Sequence, residues 1–543
     1  MSRPQRVSAT IAGELSAAAA DCPDGAAIYV EAERRTFSEL RDHVWQAARG
    51  LLASGVAPGD RVALWVPNTL EGAVALLAVI VAGGAVVPIN TRYRSHEVSE
   101  ILRRARCHMV IAAGSFLGRS FAADALEIAG GVPVICLGAD VPADAVPWPE
   151  ILAAGNAGRS DLEQRAAAQS GDDVAVVQFT SGTTGQPKGV MLRQGPMLET
   201  ASTWSAIAGL GRGDVYPVNY PLAHAGGYKT GLLSPMVARA ASALFPVVTT
   251  ETLSAVISAH RPAVLNAPPA VLHSLLAAVR GGTVPASTRI RTIVTGSSIV
   301  PPQLIRELSS VLGVSDVINA YGLTEASGVC TMTRRGDPVE LVCETVGAPI
   351  DGVEVRTVPA LTGGDDTPLA GATDGLHEAA RNVGEIEVRG RNVMAGYLDD
   401  PAATAEVMDD GWLRTGDIGW VGADGCVRIV GRAKDMVVVG GFNVYPAEVE
   451  HVLAAHPNVG EAAVVGVPHE RLGETAVAFV VPSGTAPEPD TLVQWCRDRL
   501  ANFKVPRQVW VIDALPRGAV GKISKPDLRA RAIALLGAPQ SSG

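Results

Sequence analysis

The string FTSGTTGQPKG at positions 179–189 packs four hydroxyl side chains, three glycines and one lysine into eleven residues. An apolar run at 175–179 precedes it and reads as a buried strand. A turn of this composition suits an anion rich in oxygens, phosphate foremost. Gly182 and Gly185 let backbone N–H groups come close, the hydroxyls of Thr180, Ser181, Thr183 and Thr184 can donate, and Lys188 adds charge. It is not a Walker A loop, because Lys188 follows Pro187 and no Ser or Thr comes next. A flexible Ser/Gly linker is the alternative, and the Pro-Lys-Gly clamp before an apolar run argues against it.

Composition sharpens the interest in Lys188. The chain has six lysines (188, 229, 434, 504, 522 and 525) against 39 arginines, so each lysine is worth asking about, with surface accident as the default for any one. With 543 residues, 47% of them hydrophobic, more than one core is required, since single cores rarely exceed roughly 250–300 residues. A formal charge of -10 argues against a phosphate-backbone binder, so nucleic acid is not an expected partner. The seven cysteines are scattered and form no C-x-x-C pair, which reads as a reduced, cytoplasmic protein with neither disulfides nor a zinc site. Residues 72–89 carry no charge and imitate a membrane span. Gly83-Gly84 interrupts them and Pro88 closes them, so they read as a buried helix followed by a short strand. The first residues lack a secretory apolar region, and the last match no targeting or lipidation signal.

The elements that must position the loop alternate along the first three-quarters of the chain. Residues 61–66, 86–90, 109–112, 175–179, 215–220, 264–267 and 292–295 read as buried strands, and 38–53, 98–105, 253–258 and 302–312 as amphipathic helices. That alternation implies an α/β fold, a large amino-terminal region of mostly parallel sheets. A Gly/Asp/Thr-rich stretch near 361–382 reads as a surface loop, and 384–389 and 427–430 as strands of a β-rich subdomain. From about Asp435 a compact α+β unit has its own strands at 462–467, 477–481 and 508–512. The expected division is 1–432 and 433–543, the second unit being smaller.

Seven further strings follow the same order as a known signature set: RTFSELRDHV (35–44), GVAPGDRVALWVPN (55–68), AGGAVVPIN (82–90), NAYGLTE (319–325), GWLRTGD (411–417), GRAKD (431–435) and LPRGAVGK (515–522). With FTSGTTGQPKG they make the chain, from about Arg35 to Leu528, resemble the adenylate-forming superfamily, and within it the AMP-dependent acyl-CoA synthetases. The resemblance implies activation of a carboxylic acid as its acyl-adenylate with release of pyrophosphate, then transfer to coenzyme A. It implies ATP, Mg²⁺ and coenzyme A.

Roles carried over by the resemblance make physical sense. The loop residues Thr180, Ser181, Gly182, Thr183, Thr184, Gly185 and Lys188 would hold phosphates. Tyr321 would stack on adenine, with Gly296, Ser297 and Ser298 opposite and Asn319, Ala320 and Gly322 around it; a core tyrosine is the alternative. Thr324 would bond the α-phosphate and Glu325 would hold Mg²⁺, a hard cation that wants carboxylate oxygens. Asp417, with Arg432 assisting, would take the ribose hydroxyls, unless it is a turn residue. Lys522 would be the catalytic lysine, because two anions must meet at the α-phosphorus and positive groups there stabilise the transition state. As a solvated loop lysine it would be unremarkable. Lys434 would be the hinge about which the second unit turns.

PLAHAGG (221–227) resembles the family's acid-binding motif. His224 stands where amino-acid-activating members commonly place an acidic residue, which favours a simple acid, and a structural histidine is the alternative. The small residues Ala225, Gly226 and Gly227 would leave room for a bulky acyl group: fatty, aryl, steroid-like or terpenoid. In VVGGFNVYP (438–446), Gly440 and Gly441 would help line a pantetheine tunnel, or form a tight turn without a ligand. A separate carrier protein as acceptor, and, from another class, a luciferase-like oxygenase or an inactive nucleotide-binding protein, are the competing functions. A homodimer is an open option.

Overall fold

The computed structural model describes residues 7–30, 33–155, 159–181, 187–284, 289–296, 300–359, 383–432, 435–439, 442–469, 472–500, 502–518 and 522–537. An eight-stranded sheet lies at its centre. Its strand order is Gly396–Tyr397, Pro187–Arg193, Val174–Ser181, Ala85–Pro88, Arg61–Trp65, Met109–Ala113, Val134–Leu137 and Val146–Pro147. Pairing is parallel from Val174–Ser181 onward, whereas Val174–Ser181 and Pro187–Arg193 form an antiparallel hairpin. That hairpin is what presents the Ser/Thr/Gly loop, with Thr180 opposite Lys188 and Ser181 opposite Pro187 at its mouth.

The helix Leu70–Val81 packs beneath this sheet, buried on every side from Gly72 to Val81. Its N-cap is Thr69, whose hydroxyl accepts from the Gly72 N–H. This is the charge-free stretch, resolved as a buried helix and the strand Ala85–Pro88 as its composition implies. Among the described residues no helix is long and apolar enough to cross a membrane.

A second sheet runs Val264–Asn266, Thr292–Gly296, Asp316–Tyr321, Thr331–Met332 and Ala348–Pro349, its first three strands parallel. Helices Pro269–Arg280 and Pro302–Leu312 cover it, each starting on proline, which is preorganised for a first turn. A mixed four-stranded sheet holds Val215–Pro217, Ala241–Leu244, Ala26–Val30 and Glu33–Thr36. An antiparallel sheet built on Gly384–Gly390, Trp412–Val421 and Val427–Arg432 forms the β-rich subdomain. The smaller carboxy-terminal unit is a five-stranded sheet centred on the long pair Val459–His469 and Gly473–Pro482, with helices Pro446–Ala454, Pro489–Arg497 and Lys525–Gly537 against it. The fold is therefore α/β with a smaller α+β end.

Most boundaries read from the sequence fall within a few residues of the observed ones, and the helix Pro302–Leu312 coincides. The strand expected over 215–220 stops at Pro217, because Val218 to Tyr220 already turn into the acid motif. Residues 319–321, which open the string NAYGLTE, complete the strand Asp316–Tyr321. The Gly/Asp/Thr-rich stretch at 361–382 lies outside the described residues.

Close approach constrains the loop between the last two strands of the second sheet. Gly347 has φ +76°, and a Cβ there would fall 1.9 Å from the Met332 carbonyl carbon. Gly347→Ala is expected to lower the unfolding free energy by about 2–4 kcal/mol. A urea titration checks it, as a lower midpoint at unchanged slope.

Candidate active site

Two strand ends and one turn bring the first cluster together. Glu325 lies in the 3₁₀ turn Thr324–Ala326, directly after Asp316–Tyr321. Its backbone carbonyl accepts from Met394 N–H, which draws the short strand Gly396–Tyr397 alongside. Tyr397 then donates its hydroxyl to Glu325 Oε1 at 3.1 Å, and the Lys188 ammonium sits 5.0 Å from the Tyr397 ring centroid. Lys188 has no carboxylate partner among the described residues. Its ammonium is held over an aromatic face.

A second cluster forms where two sheets meet. The antiparallel register places Asp417 opposite Arg432, and Arg432 Nε lies 3.1 Å from Asp417 Oδ1. The Tyr321 hydroxyl donates to Asp417 Oδ2 at 2.6 Å. Burial, and then the Asp417 charge, hold the Tyr321 phenol well above its ordinary pKa, so it stays a neutral donor. Gly296 pairs with Ala320 on the adjacent strand, and a Cβ on Gly296 would come 2.1 Å from the Ala320 carbonyl oxygen. Asn319 is occupied internally, its amide donating to Thr345 O.

The acid motif wraps around its own histidine. His224 Nδ1 accepts from Gly226 N–H at 3.0 Å, and the imidazole stacks on Tyr220 with centroids 5.3 Å apart. An accepting Nδ1 leaves Nε2 as the donor of a neutral ring. Burial, the Lys522 charge and the Lys229 charge lower the His224 pKa to about 4. Lys522, exposed on the carboxy-terminal unit, is thus near enough to act on the motif. Gly226 and Gly227 have an internal reason to be glycine. A Cβ on Gly226 would meet the Tyr220 ring at 2.5 Å, and one on Gly227 would meet Pro221 O at 2.0 Å. Room at the motif therefore rests on Ala225 and its small neighbours rather than on these two glycines.

Gly182, Thr183, Thr184, Gly185, Ser297, Ser298, Lys434, Gly440 and Gly441 lie outside the described residues. The structure brings together Lys188, Tyr397 and Glu325, and Tyr321 with Asp417 and Arg432, while Lys522 acts on His224 through its charge. Sequence reasoning missed Tyr397, Asn68 and Lys229. Tyr397 carried no motif signal. Asn68 closes the string GVAPGDRVALWVPN, and Lys229 was visible only as one of six lysines.

A largely parallel central sheet whose hairpin flanks the hydroxyl-rich string, and a buried carboxylate held by a tyrosine and an arginine, fit a nucleotide-using α/β enzyme. The AMP-binding enzyme family matches residues 15–398, and the AMP-binding enzyme C-terminal domain matches 448–522. The chain belongs to this family, and it is an AMP-forming acyl-CoA synthetase, with ATP and coenzyme A as co-substrates. It is 43% identical over 524 residues, 96% of this chain and 98% of the relative, to 3-[(3aS,4S,7aS)-7a-methyl-1,5-dioxo-octahydro-1H-inden-4-yl]propanoyl:CoA ligase of Mycobacterium tuberculosis. It is 34% identical to feruloyl-CoA synthase of an Amycolatopsis species, covering 91% of this chain and 94% of that one. ATP-bound MatB from Rhodopseudomonas palustris superposes with a TM-score of 0.78 at 29% identity, covering 96% of this chain and 99% of that one.

Asn68 fixes the acid motif to the central sheet. Its side chain donates to Tyr220 O at 2.9 Å and accepts from Leu222 N–H at 2.7 Å, at 3% exposure. Asn68→Ala leaves both backbone groups unpaired and is expected to cost about 2–4 kcal/mol. It should also raise KM for the acid more than KM for ATP. Thermal unfolding and initial rates with each substrate varied in turn check both.

Proposed function

We propose that the chain ligates a bulky, ring-bearing carboxylic acid to coenzyme A, through an acyl-adenylate formed between the acid motif at His224 and the turn at Thr324. The observation that carries this reading is the near-full-length identity to a ligase whose named acid is a fused-ring propanoate. In the first step a carboxylate oxygen attacks the α-phosphorus of ATP, the bond to the β-phosphate bridge breaks, and pyrophosphate leaves. In the second, the thiol sulfur attacks the acyl carbonyl, AMP departs with the former carboxylate oxygen, and the thiol proton passes to solvent.

Within this reading the residues divide the work by charge. Lys188, with Thr180 and the following loop, receives the outer phosphates, and Thr324 the α-phosphate. The Asp417–Arg432 pair receives the ribose hydroxyls, with Tyr321 and Gly296 walling the adenine. His224, a neutral donor, faces the acid. Glu325, in the turn Thr324–Ala326 and hydrogen-bonded by Tyr397, offers one carboxylate for Mg²⁺. One carboxylate plus substrate phosphates is a usual Mg²⁺ site. When bound there, the cation would offset charge on the phosphates. Residues 433–543 turn about Lys434 between the steps, bringing Gly440 and Gly441 in for the thiol arm.

Pyrophosphate release and thioester formation across ring-bearing, fatty and aryl acids, with coenzyme A, with a carrier protein and with neither acceptor, test the assignment. Thioester on coenzyme A with ring-bearing acids preferred is the expected result. Transfer only to the carrier protein would replace it with the runner-up reading.

Lys522 divides the two steps. Its charge is needed when two anions are joined, and loss of one preorganised donor costs about 10²–10³ in rate. Lys522→Ala should lose that factor in pyrophosphate release yet still convert supplied acyl-adenylate and coenzyme A to thioester. Equal losses in both steps would make Lys522 structural.

A further inference from the structure

Residues 392–398 run between the turn Thr324–Ala326 and the hairpin strand Pro187–Arg193 and bond to both. On the turn's side, the Asn392 side-chain amide donates to Val329 O at 2.9 Å and to Ala326 O at 3.3 Å, and Ser327 Oγ donates to Asn392 O at 2.8 Å. Asn392 is buried, and Met394 N–H adds a bond to Glu325 O at 2.8 Å. On the hairpin's side, Ala395 N–H donates to Met191 O at 2.9 Å and Leu398 N–H to Gly189 O at 2.7 Å. The antiparallel register there sets Tyr397 opposite Val190. The backbone is therefore tied at both ends, with Tyr397 on the tied stretch.

Two parts of the buried Tyr397 side chain meet two different charges. The hydroxyl donates to Glu325 Oε1 at 3.1 Å, and the ring centroid lies 5.0 Å from Lys188 Nζ. Burial, and then the Glu325 charge, raise the phenol above its ordinary pKa, so it is a neutral donor. Among the described residues, Lys188 and Glu325 form no ion pair with each other or with any other group. A direct pair would neutralise both charges and leave neither for a ligand. Tyr397 instead gives each charge its own contact. A tyrosine buried for packing alone needs an acceptor for its hydroxyl, but it does not need that acceptor to be Glu325 or its ring face to carry Lys188.

We propose that Tyr397 is a positioning residue for adenylate formation, its ring face placing the Lys188 ammonium and its hydroxyl placing the Glu325 carboxylate. This rests on the reading that gives Lys188 the outer phosphates and Glu325 the Mg²⁺, and adds the side chain that sets the spacing between them. The hydroxyl, by occupying Oε1, limits how the carboxylate can turn. The ring favours lysine rotamers that keep the ammonium over its face, at little cost in desolvation. Because residues 392–398 are bonded to both the turn and the hairpin, the tyrosine cannot follow one charge and abandon the other.

The test uses the full chain and calorimetric binding of α,β-methylene-ATP, with Mg²⁺ and with a chelator, beside initial rates of pyrophosphate release. Tyr397→Phe keeps the ring and should leave metal-free binding at the parental value. The extra affinity that Mg²⁺ adds should fall about 10-fold, the worth of one hydrogen bond to a charged group, and kcat/KM should fall with it. Tyr397→Leu should also weaken metal-free binding, by about 3–10-fold, the worth of a cation–π contact. In a Lys188→Ala background that second loss should vanish, since no ammonium is left to place. Melting curves report any general loss of structure. Equal losses with and without Mg²⁺ in Tyr397→Phe make Tyr397 a packing residue and overturn the proposal. So does a Tyr397→Leu loss that persists undiminished without Lys188, or a Tyr397→Phe protein indistinguishable from the parent. In those cases the roles of Lys188 and Glu325 stand. If Lys188→Ala and Glu325→Gln themselves leave nucleotide binding unchanged, those roles fall and the proposal falls with them.

Discussion

Asp417 is a carboxylate at 4% exposure, and the geometry of the site depends on how its charge is held. Removing a carboxylate from water costs several kcal/mol unless hydrogen bonds and an opposite charge replace the water. Here Arg432 takes one oxygen and the Tyr321 hydroxyl the other. Those partners come from different sheets: Arg432 from the antiparallel subdomain, Tyr321 from the end of a parallel strand. Satisfying one buried charge thus fixes the angle between the two sheets at the place where Asp316–Tyr321 hands over to the Thr324–Ala326 turn. It also anchors Arg432, two residues before Lys434, on the large amino-terminal region. Loss of either partner would leave the carboxylate buried and underpaired, so the cluster is held together from both sides.

The fold was legible because its strands are short apolar runs separated by amphipathic helices, a pattern local enough to be read one element at a time. The helix Leu70–Val81 shows the limit of hydropathy alone. Its buried run resembles a membrane span, and it was Gly83-Gly84 and Pro88 that pointed to a helix followed by a strand instead. The site was legible only where chemistry is concentrated in one string, as in FTSGTTGQPKG. Tyr397 and Asn68 escaped because each acts on a partner far away in the chain. Tyr397 reaches Glu325 from 72 positions away, and Asn68 holds Tyr220 from 152 positions away. No periodicity or local composition encodes such pairs.

Small residues in a motif also carry two meanings that sequence cannot separate. The run Ala225-Gly226-Gly227 suggests space for a substrate, yet Gly226 and Gly227 are glycine because Tyr220 and Pro221 lie where their side chains would go. The stacked Tyr220–His224 pair needs that tight wrap, and the wrap sets the imidazole's direction. Gly328, far along the chain and in no acid motif, packs against the same run, since a Cβ there would stand 3.1 Å from Ala225 Cβ.

Charge in the site follows from the same packing. Burial first, and then the Lys522 and Lys229 charges, lower the His224 pKa to about 4, so the histidine is neutral near pH 7. Positive charge then resides on lysines. Lys188 and Lys229 are fixed on the large region, whereas Lys522 stands on the smaller unit. A neutral histidine can donate a hydrogen bond to the acid in either step without adding charge, leaving the fixed lysines to offset the anions that remain. Under the proposed turn of the smaller unit, Lys522 is the charge that would be withdrawn when the carboxylate has become a mixed anhydride and no longer repels the phosphate. A removable charge on a separate unit, with the histidine neutral, would let one pocket serve a step that joins anions and a step that does not.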